Sequence, residues 1–280
     1  MQKAAFLFTV FLMTHISPAD AAPSAKGAVR VDLELVLAVD VSGSIDETES
    51  RLQRKGYVEA FTSPEVLSAI RSGFHKRVAV TYFEWAGYEH NLTIVDWTLV
   101  SGPDSARKFA NALAAKPLGV GPYTSISGAI EYAMPLFEKN KFAGTRQVID
   151  ISGDGPNNSG RLVTTARTEA LQAGLTINGL PIINTRPSRY GNPPMPNLDL
   201  YYKKCVIGGP RAFIVVAEDF RSFAKAIRKK LVLEIAGRAP STSRSIARKS
   251  RRMAGAHLVS RTAPPCNIGE SRRQFWSSDY

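Results

Sequence analysis

The chain has 280 residues, 44% of them hydrophobic, and carries 36 Lys and Arg against 24 Asp and Glu for a formal net charge of +12. That supplies one sizeable core, with room for an appendage. The basic excess is concentrated in residues 238–280, where nine Lys and Arg face two Asp and Glu; the body is only mildly basic, which argues against nucleic acid as a partner.

Residues 1–21 read as a secretory signal. Lys3 gives a positive start, Ala4 to Met13 is an apolar stretch too short for a bilayer, and Ala19-Asp20-Ala21 is a small-x-small cleavage site. The expected location is periplasmic or secreted. No later segment is long and apolar enough to form a transmembrane span.

Leu33-Glu34-Leu35-Val36-Leu37-Ala38-Val39 reads as a buried strand. Asp46-Glu47-Thr48-Glu49 opens a helix running to about Thr62, its acids suited to the positive end of the helix dipole, and Pro64-Glu65 starts a second, short one. Val78 to Phe83 and Leu92 to Val95 are two strands separated by a short gap, the pattern of a hairpin at a sheet edge. Helices follow over Pro103–Lys116 and Ser125–Lys139. Val148 to Ile151 is a strand ending in Ser152-Gly153-Asp154-Gly155, Leu162–Ala173 a helix, Leu175–Ile182 a strand, and Phe213–Val216 the last strand. Asp219 caps a closing helix with Phe220, Phe223, Ile227 and Leu231 on its apolar face. This alternation predicts an α/β domain over residues 30–237, with a mostly parallel six-stranded sheet covered by helices on both faces.

Residues 184–203, rich in Pro and Asn, read as a long loop between the fifth and sixth strands. From Arg238 onward, Ser, Arg and Pro enrichment predicts a disordered basic tail, 238–280, able at most to make weak contact with an anionic surface. Cys205 and Cys266 are the two cysteines; export permits them to pair, while the tail composition around Cys266 equally suits two free thiols.

In an open parallel sheet, sites form at the carboxyl ends of the strands. Three loops meet that condition. Asp40-Val41-Ser42-Gly43-Ser44 follows the first strand, Asp154 follows the strand ending at Ile151, and the glycine-rich run Gly119 to Thr124 leads into the Ser125 helix. Together they offer two carboxylates and three hydroxyls, an oxygen set that suits a hard cation. Either Asp alone is more simply read as a turn or helix cap.

On these residues the chain resembles the von Willebrand factor A domain family over roughly residues 30–237. More narrowly it resembles an exported bacterial branch, through Phe83-Glu84-Trp85, Cys205-Val206-Ile207-Gly208-Gly209-Pro210 and Lys229-Lys230-Leu231 with Glu234-Ile235. The resemblance implies a doubly wound sheet with one antiparallel edge strand. It also implies a metal-ion-dependent adhesion site, with Ser42, Ser44 and Thr124 matching the direct ligands and Asp40 and Asp154 the carboxylates that act through water. The implied metal is Mg²⁺, with Mn²⁺ or Ca²⁺ as alternatives. Ser152-Gly153 depart from the apolar residue and Thr of many relatives.

Three neutral hydroxyls leave a bound cation electron-poor, so an open position favours an outside carboxylate. The expected function is non-enzymatic: an exported binding module that captures a Glu or Asp side chain of a partner protein. The alternatives are a metal-dependent hydrolase and a scaffold with a vestigial site. Trp85, Tyr123, Arg186 and Arg189 are candidate rim residues, with burial the rival reading for Trp85. Ser222-Phe223-Ala224-Lys225 fits Ser-x-x-Lys without its companion motifs, and Asn91-Leu92-Thr93 and Asn157-Asn158-Ser159 fit glycosylation sequons.

Overall fold

The computed structural model describes residues 27–183, 193–240 and 261–277; the segment read as a signal, and Arg186 and Arg189, lie outside them. Strand β1 (Val29–Val31) enters a two-stranded parallel pair with β5 (Phe142–Gly144), a small sheet that periodicity does not announce. The main sheet has five strands in the order β4-β3-β2-β6-β7. Strand β2 (Glu34–Asp40) lies in the middle, parallel to β3 (Val78–Trp85) on one side and β6 (Gln147–Gly153) on the other. Beyond β6 lies β7 (Thr176–Pro181), also parallel, and β4 (Asn91–Val100) closes the opposite edge as the expected antiparallel hairpin partner of β3. The chain runs from β2 to β3 and β4 on one side, then crosses to β6 and β7 on the other. The carboxyl end of β2 is therefore the switch point of the sheet.

Every residue of β2 is buried because both faces are covered. Leu35, Leu37 and Val39 pack with Tyr57 and Phe61 of α1 (Glu47–Thr62), Val66 of α2 (Pro64–Arg71), Phe109 of α3 (Pro103–Ala114) and Phe223 of α7 (Phe223–Ile235). Val36 and Ala38 face Ile126 and Ile130 of α4 (Ile126–Ala133) and Val163 and Ala166 of α5 (Val163–Gln172). Each fully buried Leu or Val stabilises by about 1.5–3 kcal/mol. Helix α1 starts where its acids predict: Asp46 accepts from the Glu49 amide at 2.8 Å while Glu49 accepts from the Asp46 amide at 2.9 Å, a reciprocal cap.

Several expectations change. The helix from Ser125 gives way to a 3₁₀ turn (Met134–Leu136) after Ala133, because Pro135 has no amide proton for the ladder. Phe213–Val216 is not a regular strand. It follows β7 through isolated parallel bridges at Ile214 and Ala217, so the sixth position is occupied without a continuous ladder. The run 184–203 is not loop throughout: α6 (Leu198–Tyr201) continues into a π-turn (Tyr202–Val206) that buries Tyr201, Tyr202 and Cys205. Asp219 does not cap α7 directly. Its carboxylate accepts from the Ser222 amide at 2.6 Å, and Ser222 precedes the helix.

The largest correction is at the C-terminus. Residues 261–277, expected within a disordered tail, are ordered and include α8 (Ile268–Ser277), and Cys266 is disulfide-bonded to Cys205. A bond to a fully buried cysteine outweighs the polar composition of the segment. No helix among the described residues is long and apolar enough to cross a membrane.

Candidate metal centre

Three loops converge at the carboxyl end of β2. Asp40 is the last residue of that strand and is 0% exposed. Its Oδ1 accepts from the Ser42 amide at 2.7 Å, turning the chain back on itself. Ser42 Oγ lies 3.1 Å from Ser44 Oγ, and Ser44 Oγ donates to Asp154 Oδ1 at 2.6 Å. One hydrogen-bonded row thus links the loop after β2 to the loop after β6.

The third loop is fastened to both. The Gly121 amide donates to the Val41 carbonyl at 3.1 Å. Thr124 is gripped twice by Asn158: its amide donates to Asn158 Oδ1 at 2.8 Å, and its carbonyl accepts from the Asn158 amide at 2.8 Å. Thr124 is buried, and a β-carbon built on Gly155 would lie 3.8 Å from its hydroxyl, so that hydroxyl faces the turn after Asp154. All five residues singled out in the sequence therefore line three mutually bonded loops. The cleft of about 470 Å³ between Gly144–Val148 and Pro210–Phe213 contains none of them and opens at the amino end of β6 and β7.

Asp40 Oδ2 has no hydrogen-bond partner among the described residues, and no ion pair to Asp40 is formed among them. Burial first, and the Asp154 carboxylate second, push the Asp40 carboxyl up to about 8, against the pull of the Ser42 hydroxyl and amide and of the Asp154 amide. Gly153 matters for the same atom. A β-carbon there would fall 2.7 Å from Asp40 Oδ2 and 2.9 Å from the Tyr202 hydroxyl, which is also without a partner among the described residues. The Ser152-Gly153 departure thus makes room behind Asp40, while Ser152 Oγ lies 3.4 Å from the Tyr57 hydroxyl.

A buried carboxylate oxygen without a hydrogen-bond partner among the described residues, on loops that also carry three hydroxyls and a second carboxylate, fits a hard cation of the Mg²⁺, Mn²⁺ or Ca²⁺ type. Among the described residues no three His, Cys, Asp or Glu side chains converge. The set described above has two such side chains, Asp40 and Asp154, and its other three groups are hydroxyls.

Several supporting residues have no local signature. Arg54 of α1 is buried against Glu84 of β3 in an ion pair, and it donates to the Leu113 and Lys116 carbonyls at 2.8 and 3.0 Å. Glu84 in turn accepts from the Gly119 amide at 3.0 Å, which fixes the start of the loop bearing Thr124. Glu84 belongs to the Phe83-Glu84-Trp85 run that sequence reading singled out, but its partner lies thirty residues away. Asn157 is fully buried, and its side chain is spent on the Ser127 amide at 2.9 Å, the Arg161 carbonyl at 3.0 Å and Glu270 at 2.7 Å; this sequon is a structural clamp. Trp85 is 0% exposed and belongs to the core, whereas Tyr123 is 52% exposed and stands at the rim with φ of 60°. Ser222 Oγ donates to the Asp219 carbonyl at 3.0 Å, the geometry of a turn ahead of α7.

The sequence matches the family described as "Protein of unknown function (DUF1194)" over residues 30–239. No curated protein matches it. Among solved structures, the chain is similar to proximal thread matrix protein 1 from the mussel byssus, at 13% identity and a TM-score of 0.52, covering 75% of this chain and 47% of that one. A second structure of that protein, described as having a zinc-occupied MIDAS motif, aligns at 12% identity and a TM-score of 0.51, covering 73% and 46%. The pilus adhesin SpaC from Lactobacillus rhamnosus GG aligns at 10% identity and a TM-score of 0.53, covering 73% of this chain and 31% of that one. The chain thus spans less than half the length of these proteins, and likeness at such identities establishes the fold. The chain belongs to the DUF1194 family and has the von Willebrand factor A fold.

Proposed function

We propose that this protein is an exported, non-enzymatic binding module that captures an acidic side chain of a partner protein through a divalent cation. Asp40, Ser42, Ser44, Thr124 and Asp154 would hold the cation, which supplies a positive centre able to accept a carboxylate oxygen from outside. The observation that carries the reading is the buried Asp40 Oδ2, without a hydrogen-bond partner among the described residues, on the loop whose serine hydroxyls run to Asp154.

Each residue has a distinct task. Asp40 supplies negative charge from below and, through its bond to the Ser42 amide, sets the turn that presents both serines. Asp154 holds the Ser44 hydroxyl by accepting its hydrogen bond. Thr124 adds a neutral oxygen from the far loop, in the register that Asn158 imposes. Because the hydroxyls contribute no charge, the positive centre is only partly neutralised, and a carboxylate from a partner is the complementary group. A mussel byssus structure of similar fold, described as having a zinc-occupied MIDAS motif, supports metal use by this fold.

The test is capture from an exported protein fraction on immobilised protein, in Mg²⁺ and then in EDTA, with Asp40→Ala and Asp154→Ala beside the wild type. Partner retention that needs Mg²⁺, and is lost in both folded variants, is the expected result. Equal retention in EDTA contradicts the proposal.

A further inference from the structure

The segment 261–277 docks next to the candidate metal centre rather than at a neutral place on the surface. Arg261 donates to Asp199 Oδ1 at 2.6 Å and to Asn197 Oδ1 at 2.9 Å. Cys266 is covalently joined to Cys205, and its carbonyl accepts from the Tyr201 hydroxyl at 3.4 Å; the same hydroxyl accepts from the Asn157 amide at 3.1 Å. Gly269 lies so close to the 156–158 loop that a β-carbon there would fall 2.0 Å from the Asn157 carbonyl oxygen. Glu270 accepts from the Asn157 side chain at 2.7 Å. Arg273 donates to the Asn158 carbonyl at 3.2 Å, with its guanidinium 4.3 Å from the centre of the exposed Tyr123 ring.

Every contact from α8 named above falls on Tyr123, which precedes Thr124, on Asn158, which grips it, or on Asn157, which precedes Asn158. Asn158 is held from two sides. Its side chain and amide fix Thr124, and its carbonyl is fixed by Arg273. We infer that the disulfide-docked C-terminal segment is a wall of the metal centre, with Arg273 and Asn158 acting as positioning residues for Thr124. The inference rests on the proposed metal site. In this role an oxygen ligand is aimed by the groups behind it, and loss of such a group weakens metal affinity by about 10–100-fold.

The disulfide fastens the segment covalently. Of the side chains described in this segment, residues 261–273, Cys266 and Ile268 pack against the core. Joining Cys205 to Cys266, 61 residues apart, keeps the helix at high effective concentration over its docking face.

The test uses the full chain and Mn²⁺ alone as probe. Arg273→Ala, an exposed change, and the Cys205→Ser/Cys266→Ser double variant should each bind Mn²⁺ about tenfold more weakly than wild type, and the Thr124 and Asn158 amides should exchange hydrogen faster. Asn158→Ala should do the same, whereas Asn158→Asp, which keeps the acceptor oxygen, should retain affinity. Unchanged Mn²⁺ affinity and unchanged exchange in both Arg273→Ala and the disulfide-free variant overturn the inference. If the intact protein binds no Mn²⁺, the site reading is what fails, and the exchange comparison by itself decides whether docking fixes Thr124: faster exchange on undocking supports it and unchanged exchange overturns it.

Discussion

Two neighbouring strands of this sheet bury carboxylates, and they solve the problem in opposite ways. In the interior, Asp150 of β6 lies 2.5 Å from Lys230 Nζ, and Glu234 lies 2.5 Å from the same nitrogen; all three side chains are 0% exposed. Asn178 of β7 donates to Glu234 at 2.9 Å and accepts from the Phe213 amide at 3.0 Å. Here the chain brings its own cation. At the carboxyl end, Asp40 of β2 is equally buried, has Asp154 as a neighbour, and forms no ion pair among the described residues. The first cluster ties α7 to the sheet, and the second is where the proposed function seats a cation from solution. The Lys229-Lys230 and Glu234 motif is thereby explained as the internal solution, with Lys230 and Glu234 one helical turn apart.

The comparison can be broken most forcefully at the internal cation. Lys230→Met leaves Asp150 and Glu234 without their countercharge and should cost about 3–5 kcal/mol in chemical denaturation. Asp40→Asn replaces a carboxyl that burial and Asp154 already push up to about 8, so in chelator at pH 7 its denaturation midpoint should stay close to that of wild type. A matching loss in the two variants would remove the distinction. Next in size, Ser44→Ala should weaken Mn²⁺ binding by about 10–100-fold, read by calorimetric titration, because it removes one oxygen and the hydroxyl that donates to Asp154 Oδ1.

The smallest effect is one of pH. Burial first, and the Glu234 carboxylate second, push Asp150 up to about 7, against the pull of Lys230. A carboxyl whose folded value lies above its unfolded one favours the folded state most below the unfolded value. That contribution is lost as pH rises toward 7. Asp150→Asn should therefore shrink the difference between denaturation midpoints measured at pH 5 and pH 8. A wild-type slope that survives the substitution would place its origin elsewhere.

The site was more legible than its supports. Asp40, Ser42, Ser44, Thr124 and Asp154 each follow a strand or precede a helix whose apolar pattern is plain, and strand order brings such loops together at one end of the sheet. The hairpin of β3 and β4 was readable from the short gap between two apolar runs. Asn158, Arg54 and Tyr202 were not, because their roles depend on contacts across tens of residues that leave no local period. The C-terminal segment was misread because a disulfide and a few polar contacts, rather than apolar periodicity, hold it in place. Pro135 was a readable stop that the amphipathic run around it concealed.

The account turns on whether Asp40 is a seat for a cation. Thermal unfolding of wild type and Asp40→Asn, followed with increasing Mg²⁺ and then excess EDTA, tests it most directly. The account predicts that Mg²⁺ raises the wild-type midpoint, that EDTA reverses the rise, and that Asp40→Asn does not respond. At a free concentration about 100 times Kd the wild-type gain should be about 2.7 kcal/mol. A wild type indifferent to Mg²⁺, or an Asp40→Asn variant stabilised equally, would contradict it.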